Sequence, residues 1–298
     1  MRISRRSFLR HAGVVAGGAT LLTQMRPLHA SPMNQPLGFQ TFEIIPHLIL
    51  DWKGTWKAMA GFGYKFADLV QFGSRPQLAQ YSAKDIRRSL NEVGLTCTNG
   101  HFSYNAWAQS FAESVQYAHD LGLSSVVCAL GPRRSTIEDW KWMGGQLNEI
   151  GAKLQKEGLQ LAYHNHEIEF RSVQGQVPWD ILMASTDPAL VRAQLDVGNL
   201  TFGGGDAIAC LSRYKERVFS LHCKDFAPGK ASVPVGQGIL DWNKILSIAK
   251  SVDIKSYVCE VGAYGVATLD GTPLEQSQLD VLESFRQSFV FLNAFQNA

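Results

Sequence analysis

The sequence predicts one (β/α)8 barrel, of the TIM barrel class, after a short N-terminal leader. Short runs rich in Val, Leu, Phe and Cys alternate along the body of the chain with longer segments of helical period. Eight such strand–helix units fit within about 260 residues, and α/β barrels of roughly 250 residues fold as a single domain. A doubly wound open sheet is the alternative. The count of eight units and the lack of a GxGxxG motif after the first strand disfavour it.

The predicted strands are apolar runs of five to seven residues, the length expected for buried parallel strands. In chain order they are Leu37–Phe42, Phe66–Gln71, Thr96–Phe102, Ser125–Leu130, Gln160–His164, Ala193–Val197, Phe219–Lys224 and Ser256–Glu260.

The segments between these strands have helical periodicity and suitable terminal residues. Ser82 and Asp241 are expected N-caps, and Gly94 and Gly158 follow helices where a left-handed residue is favoured. The predicted helices are Trp52–Phe62, Ala83–Val93, Ala106–Leu121, Ile137–Glu157, Trp179–Ala184, Ala207–Tyr214, Trp242–Ser251 and Pro273–Phe295.

The first 30 residues have the pattern of an export signal. Arg5 and Arg6 precede an apolar stretch, Ala12 to Leu22, which is shorter than the roughly 20 residues of a spanning helix. The leader resembles a twin-arginine (Tat) signal, which implies the Tat export machinery as a partner and a periplasmic protein. Cleavage is expected after Ala30, which leaves residues 31–298 as the barrel with no stable membrane insertion. An ordinary basic N-terminus or a retained anchor is the alternative.

Replacing Arg5 and Arg6 with lysine tests the leader. Because a Tat signal requires its paired arginines, we expect the double variant to stay in the cytoplasm uncut, while the unaltered chain reaches the periplasm cut near Ser31. Cell fractionation with N-terminal sequencing measures both results. Undiminished export of the variant would contradict the Tat assignment.

The charge balance of the body argues against a nucleic-acid partner. The chain has 28 Lys and Arg and 26 Asp and Glu, but five of the arginines lie in the acid-free leader. Without that segment the acids outnumber the bases, so no basic excess remains to neutralise phosphates.

Histidines and acids collect where the predicted strands end, and four of the six histidines after the leader lie there. In a barrel these ends form one mouth, where chemistry is located. Acids and imidazoles from separate strands indicate one divalent metal with mixed oxygen and nitrogen ligands, such as Mn²⁺, Mg²⁺, Co²⁺ or Zn²⁺. The residues concerned are His101, His164, His166, Glu167, Glu169, Asp196, His222, Lys224 and Glu260.

At these residues the chain resembles the sugar phosphate isomerase/epimerase superfamily of xylose isomerase-like TIM barrels. The resemblance implies a metal held by groups of strands 5 to 8, and Asp196, His222 and Glu260 match three of its ligands. Glu169 is the expected fourth ligand, with His164, His166 and Glu167 as alternatives. The matching stretches are LGFQTFEI, GYKFADLV, LAYHNHEIEF, AQLDVGN, SLHCKDFAPG, PVGQGILDW and CEVG.

The resemblance also implies proton or hydride transfer on the carbons of a sugar. His166 and Glu167 are the candidate bases, Lys224 is placed to stabilise an enediolate, and His101 and His164 are expected to contact substrate. We therefore predict an isomerase or epimerase of an unphosphorylated sugar or keto-sugar. A keto-glycoside lyase or dehydratase and a non-catalytic sugar-binding barrel are the alternatives. A phosphodiesterase of the endonuclease IV type would need more histidines than the chain has.

Overall fold

Eight parallel strands close into a barrel in the computed structural model of the chain, which confirms the predicted fold class. The structure describes residues 35–71, 76–228, 232–252, 254–261 and 281–296, so the predicted leader and the first part of the predicted helix Pro273–Phe295 lie outside it. The strands are β1 (Leu37–Gln40), β2 (Phe66–Val70), β3 (Thr96–Phe102), β4 (Ser125–Ala129), β5 (Gln160–His164), β6 (Val191–Asp196), β7 (Val218–Cys223) and β8 (Ser256–Cys259).

The strands follow one another around the barrel in chain order, and β8 pairs with β1 to close it. The register brings the carboxyl ends of neighbouring strands level with each other. Asp196 at the end of β6 pairs with His222 on β7, and Ala129 on β4 pairs with His164 on β5. Polar residues that end separate strands therefore share one mouth of the barrel, as the sequence predicts.

Helices connect the strands on the outside of the barrel, and none within the described part of the chain is long and apolar enough to cross a membrane. They are α1 (Ile45–Leu50), α2 (Trp52–Phe62), α3 (Ala83–Glu92), α4 (Tyr104–Gln109), α5 (Phe111–Leu121), α6 (Ile137–Lys156), α7 (Pro178–Ala184), α8 (Val197–Phe202), α9 (Ala207–Arg213), α10 (Trp242–Lys250) and α11 (Val281–Gln296). The expected caps are present: Ser82 forms a capping box with Asp85, and Asp241 accepts from the backbone N–H of Lys244.

Two details of the helices differ from the prediction. The prediction of a single helix over Ala106–Leu121 is wrong, because Ser110 has a non-helical φ of −136° and separates α4 from α5. Ser110 ends one helix and precedes the next, and its side chain makes no capping hydrogen bond, so the break lies in the backbone conformation. The short helices α1 and α8 were not predicted. Helix α8 directly follows β6, and α1 begins a few residues after β1.

Apolar side chains fill the layer between the barrel and its helices, and Trp56, Trp140 and Trp179 are fully buried there. The inside of the barrel is different, because hydrogen bonds between polar side chains cross it. Asn99 on β3 donates to Ser256 on β8, although these strands are not neighbours in the sheet. Such interiors are usually packed with branched apolar residues. Part of the barrel interior is therefore polar toward the amino ends of the strands, where Ser256 begins β8.

Candidate metal centre and active site

Four buried side chains meet at the mouth of the barrel. His164, Asp196, His222 and Glu260 each offer one ligand atom, and these atoms all lie within 4.8 Å of one another. The first three end or nearly end β5, β6 and β7, and Glu260 directly follows β8. The structure thus brings together Asp196, His222 and Glu260, the three ligands that the resemblance matched, with His164 as the fourth member.

The donor set of this group fits a divalent cation. Two imidazole nitrogens and two carboxylate oxygens are the mixture that Zn²⁺, Mn²⁺ and Co²⁺ accept. Asp196 Oδ1 accepts from the backbone N–H of Asn199 at 2.7 Å, and its Oδ2 is buried with no hydrogen-bond partner among the described residues. The same holds for Nδ1 of His164. Unpaired buried polar atoms are energetically costly, and a bound cation would give these two atoms a partner.

Glu169, the expected fourth ligand, is not part of this group. Its Oε1 accepts from the Tyr163 hydroxyl at 2.7 Å, and its Oε2 accepts from the backbone N–H of His166 at 2.9 Å. The chain forms a short 3-10 helix at Ile168–Phe170, which turns the Glu169 carboxylate back onto β5. Both oxygens are therefore used to hold the loop after β5, and His164 occupies the place that was expected for Glu169.

Glu260 lies between two cationic side chains. Its Oε2 is 2.7 Å from His222 Nδ1, and its Oε1 accepts from Lys224 Nζ at 2.7 Å. Burial opposes ionisation of Glu260, but the attraction of Lys224 and the bond to His222 outweigh it and hold its pKa well below the usual range. Lys224 and His222 thus extend toward the same acid, and Lys224 forms a buried ion pair with it.

Two acids of the site were missed by sequence reasoning. Asp68 lies inside β2 with no exposed surface, and its Oδ2 is 3.1 Å from His222 Nε2. Glu43, in the loop after β1, is buried, and its Oε2 has no partner among the described residues. Burial and the charge of Glu260 raise the pKa of Glu43 well above the usual range. A single acid within an apolar run, as in FADLV, is the signal that would have indicated Asp68.

The remaining predicted residues border this group. The rings of His101 and His166 each lie 5.0 Å from the ring of His164, measured between centroids. Burial lowers the pKa of His166 to about 4, so its imidazole is neutral at neutral pH. Glu167 is half-buried, and its Oε1 lies 3.5 Å from Arg171 Nη2. Of the two candidate bases, His166 lies against the ring of His164 and Glu167 pairs with Arg171.

Comparison with curated proteins finds partial matches to inosose dehydratases. The protein of that name from Geobacillus kaustophilus is 30% identical over 191 residues, which are 56% of this chain and 59% of that protein. The one from Clostridium perfringens is 38% identical over 93 residues, 31% of each chain. The chain therefore spans between about a third and three fifths of the length of these relatives.

Solved structures share the fold at lower identity. A sugar phosphate isomerase/epimerase from Parabacteroides distasonis superposes with a TM-score of 0.71 at 22% identity, covering 90% of this chain and 97% of that one. The IolI protein, solved with a bound zinc atom, gives a TM-score of 0.67 at 14% identity and covers 88% and 99%.

A family match covers most of the chain and agrees with the closed barrel and its strand-end site. Residues 56–287 match the family described as the xylose isomerase-like TIM barrel. The eight parallel strands of the structure are the architecture that this description names. The chain therefore belongs to the xylose isomerase-like TIM barrel family.

Proposed function

We propose that the protein is a divalent-metal-dependent enzyme that removes the proton next to the carbonyl group of an unphosphorylated sugar or keto-sugar. The observation that carries this proposal is the convergence of His164, Asp196, His222 and Glu260 on one point. Two atoms of this group, Asp196 Oδ2 and His164 Nδ1, are buried with no hydrogen-bond partner among the described residues. When bound, a metal supplies Lewis acidity, which polarises a substrate carbonyl and acidifies the neighbouring C–H bond.

His166 is the proposed base. Its imidazole is neutral, and its backbone is fixed by Glu169, which itself is anchored on Tyr163. A neutral imidazole accepts the proton and can return it, which is the requirement for general acid–base catalysis. Glu167 is the second candidate, although its carboxylate lies beside Arg171.

Lys224 is the proposed stabiliser of the enediolate. Its ammonium group donates to Glu260 Oε1 and carries three donors in all, so it can also bond a developing oxyanion. Burial disfavours its charge, but Glu260, Asp196 and Glu43 outweigh this and raise its pKa, which keeps the group cationic. His101, whose side chain is slightly exposed at the mouth, is the proposed contact for a substrate hydroxyl.

The fate of the proton separates two reactions that share this first step. Its return to another carbon or face gives isomerisation or epimerisation, the outcome that the sequence resemblance favours. Its transfer to a leaving hydroxyl gives elimination of water, which the names of the curated relatives support equally. The proposed substrate is unphosphorylated, because an exported enzyme seldom meets sugar phosphates, and export itself remains a prediction.

Turnover in D₂O tests this proposal. We expect incubation of the metal-loaded enzyme with aldoses, ketoses, inososes and 3-keto-glycosides to place deuterium at one carbon of a converted substrate, as followed by NMR. A product that lacks one water relative to the substrate would identify elimination. A product of the same mass, apart from the deuterium, would identify isomerisation or epimerisation. His166→Ala should slow deuterium incorporation by about 10²-fold or more, the usual effect of losing a general base.

His119→Ala is the matched control, because His119 is an exposed histidine on α5 and should leave the rate unchanged. Glu167→Gln tests the second candidate base in the same assay. Turnover with neither deuterium in the product nor loss of water would indicate a hydride shift instead. Metal and sugar binding with no turnover would favour a non-catalytic sugar-binding barrel.

A further inference from the structure

Asp68 has a central position below the proposed metal ligands. It is fully buried within β2, and its carboxylate contacts side chains from three other strands. Oδ2 lies 3.1 Å from His222 Nε2 and accepts from Gln194 Nε2 at 2.7 Å, while Oδ1 lies 3.3 Å from His101 Nε2. Because β2 is a sheet neighbour of neither β6 nor β7, the contacts to Gln194 and His222 cross the inside of the barrel.

We infer that Asp68 is the positioning residue of this centre, which orients His222 as a metal ligand by accepting a hydrogen bond from its Nε2. This inference rests on the proposed function, because it presupposes a bound metal. Asp68 itself is not among the four side chains that converge as ligands. Its proposed role is to act on the metal through the histidine.

Each ring nitrogen of His222 faces a carboxylate, and only one of these carboxylates belongs to the ligand group. Nδ1 lies on the side of Glu260, a member of the ligand group, at 2.7 Å from Oε2. Nε2 lies on the side of Asp68, which is outside that group. A cation held at Nδ1 would replace the proton there, and the N–H that remains at Nε2 would donate to Asp68. Carboxylates that accept the second N–H of a ligating histidine fix its tautomer and orientation in this way.

The interior of the barrel holds Asp68 in turn. Gln194 donates to the same Oδ2 and also approaches the Ser220 hydroxyl at 3.4 Å. From Ser220 the hydrogen bonds continue away from the mouth through Ser256, Asn99 and Ser125. A buried ion pair adds little net stability, so stability alone is a weak reason for a charged group here. A chain of polar contacts that ends on Asp68 is instead suited to fix the direction of its carboxylate.

Metal affinity measures the proposed role without relying on activity. We expect Asp68→Ala to weaken Zn²⁺ binding by about 10- to 100-fold, the usual range for losing such an outer partner, when Zn²⁺ is titrated calorimetrically into the metal-free full chain. Asp68→Asn, which keeps an oxygen acceptor, should retain more affinity than Asp68→Ala. Asp139→Ala is the matched control, because Asp139 is a buried acid at the start of α6 that pairs with Thr136 and Arg133 and is not part of the ligand group. The Zn²⁺ affinity of this variant should equal that of the wild type.

A spectroscopic measurement distinguishes positioning from a merely structural role. With ¹⁵N-labelled histidine, the Zn²⁺-loaded wild type should show His222 protonated at Nε2 and ligating through Nδ1, and Asp68→Ala should lose this single state. If Asp68→Ala does not fold, Gln194→Met provides the second test. This variant removes the side-chain amide that donates to Asp68. It should weaken Zn²⁺ binding, but by a smaller factor than the one expected for Asp68→Ala.

The outcomes separate this inference from the proposed function. A wild type that binds no Zn²⁺, Mn²⁺ or Co²⁺ would overturn both. A folded Asp68→Ala with wild-type Zn²⁺ affinity would overturn the inference alone, as would a lower unfolding temperature with no change in affinity or in the His222 signals. Weakened binding with rescue by Asp68→Asn supports it.

Discussion

Asp196→Asn should remove stoichiometric divalent metal from the purified protein while leaving its fold intact. Oδ1 of Asp196 caps α8, and the asparagine keeps an oxygen for that bond, so the variant loses mainly the charge and the ligating Oδ2. We expect the loss of affinity to exceed the about 10- to 100-fold effect of an outer partner, since a direct ligand is removed. Metal analysis by mass spectrometry, with circular dichroism for the fold, measures both results.

The same measurement decides the fourth ligand. His164→Ala should lose the metal as Asp196→Asn does, because His164 lies within the converging group. Glu169→Gln is the matched comparison and should keep the metal, because both oxygens of Glu169 bond Tyr163 and the backbone of His166. If Glu169→Gln loses the metal and His164→Ala keeps it, the original expectation for Glu169 holds and the arrangement described above does not.

Lys224→Met should lower kcat by about 10²- to 10³-fold, the effect of removing one preorganised donor to a developing oxyanion. Methionine keeps much of the length of the lysine stem, so packing changes little, while Glu260 keeps its contact with His222. The deuterium assay gives the rate, and metal content is measured on the same sample.

The control for this change is Lys141→Met. Lys141 forms an exposed i,i+3 ion pair with Glu138 on α6, where such pairs contribute little, so its rate should match the wild type. A Lys224→Met protein that loses its metal in proportion to its activity would show a different role. Lys224 would then act by holding Glu260 in place and not by contacting substrate.

The fold could be predicted in detail because its signals are local. Strands such as β2 and β4 are short, largely apolar runs between turn residues. The caps at Ser82 and Asp241 are side chains that bond the backbone a few residues away. The break at Ser110 was missed, because periodicity continues across it and only the backbone conformation shows the interruption. Such boundaries depend on packing that a linear pattern does not contain.

The sequence alone determined the barrel and indicated that Asp196, His222 and Glu260 share its mouth, because strand ends in a closed parallel sheet must converge. The tertiary structure decided which side chain of the β5 region joins them, since the 3-10 turn directs Glu169 onto Tyr163 and leaves His164 in the group. It alone revealed Asp68, whose contacts cross the barrel between strands that are far apart in the chain. These contacts of Asp68 arise from closure of the barrel and cannot be read from the spacing of the residues along the chain.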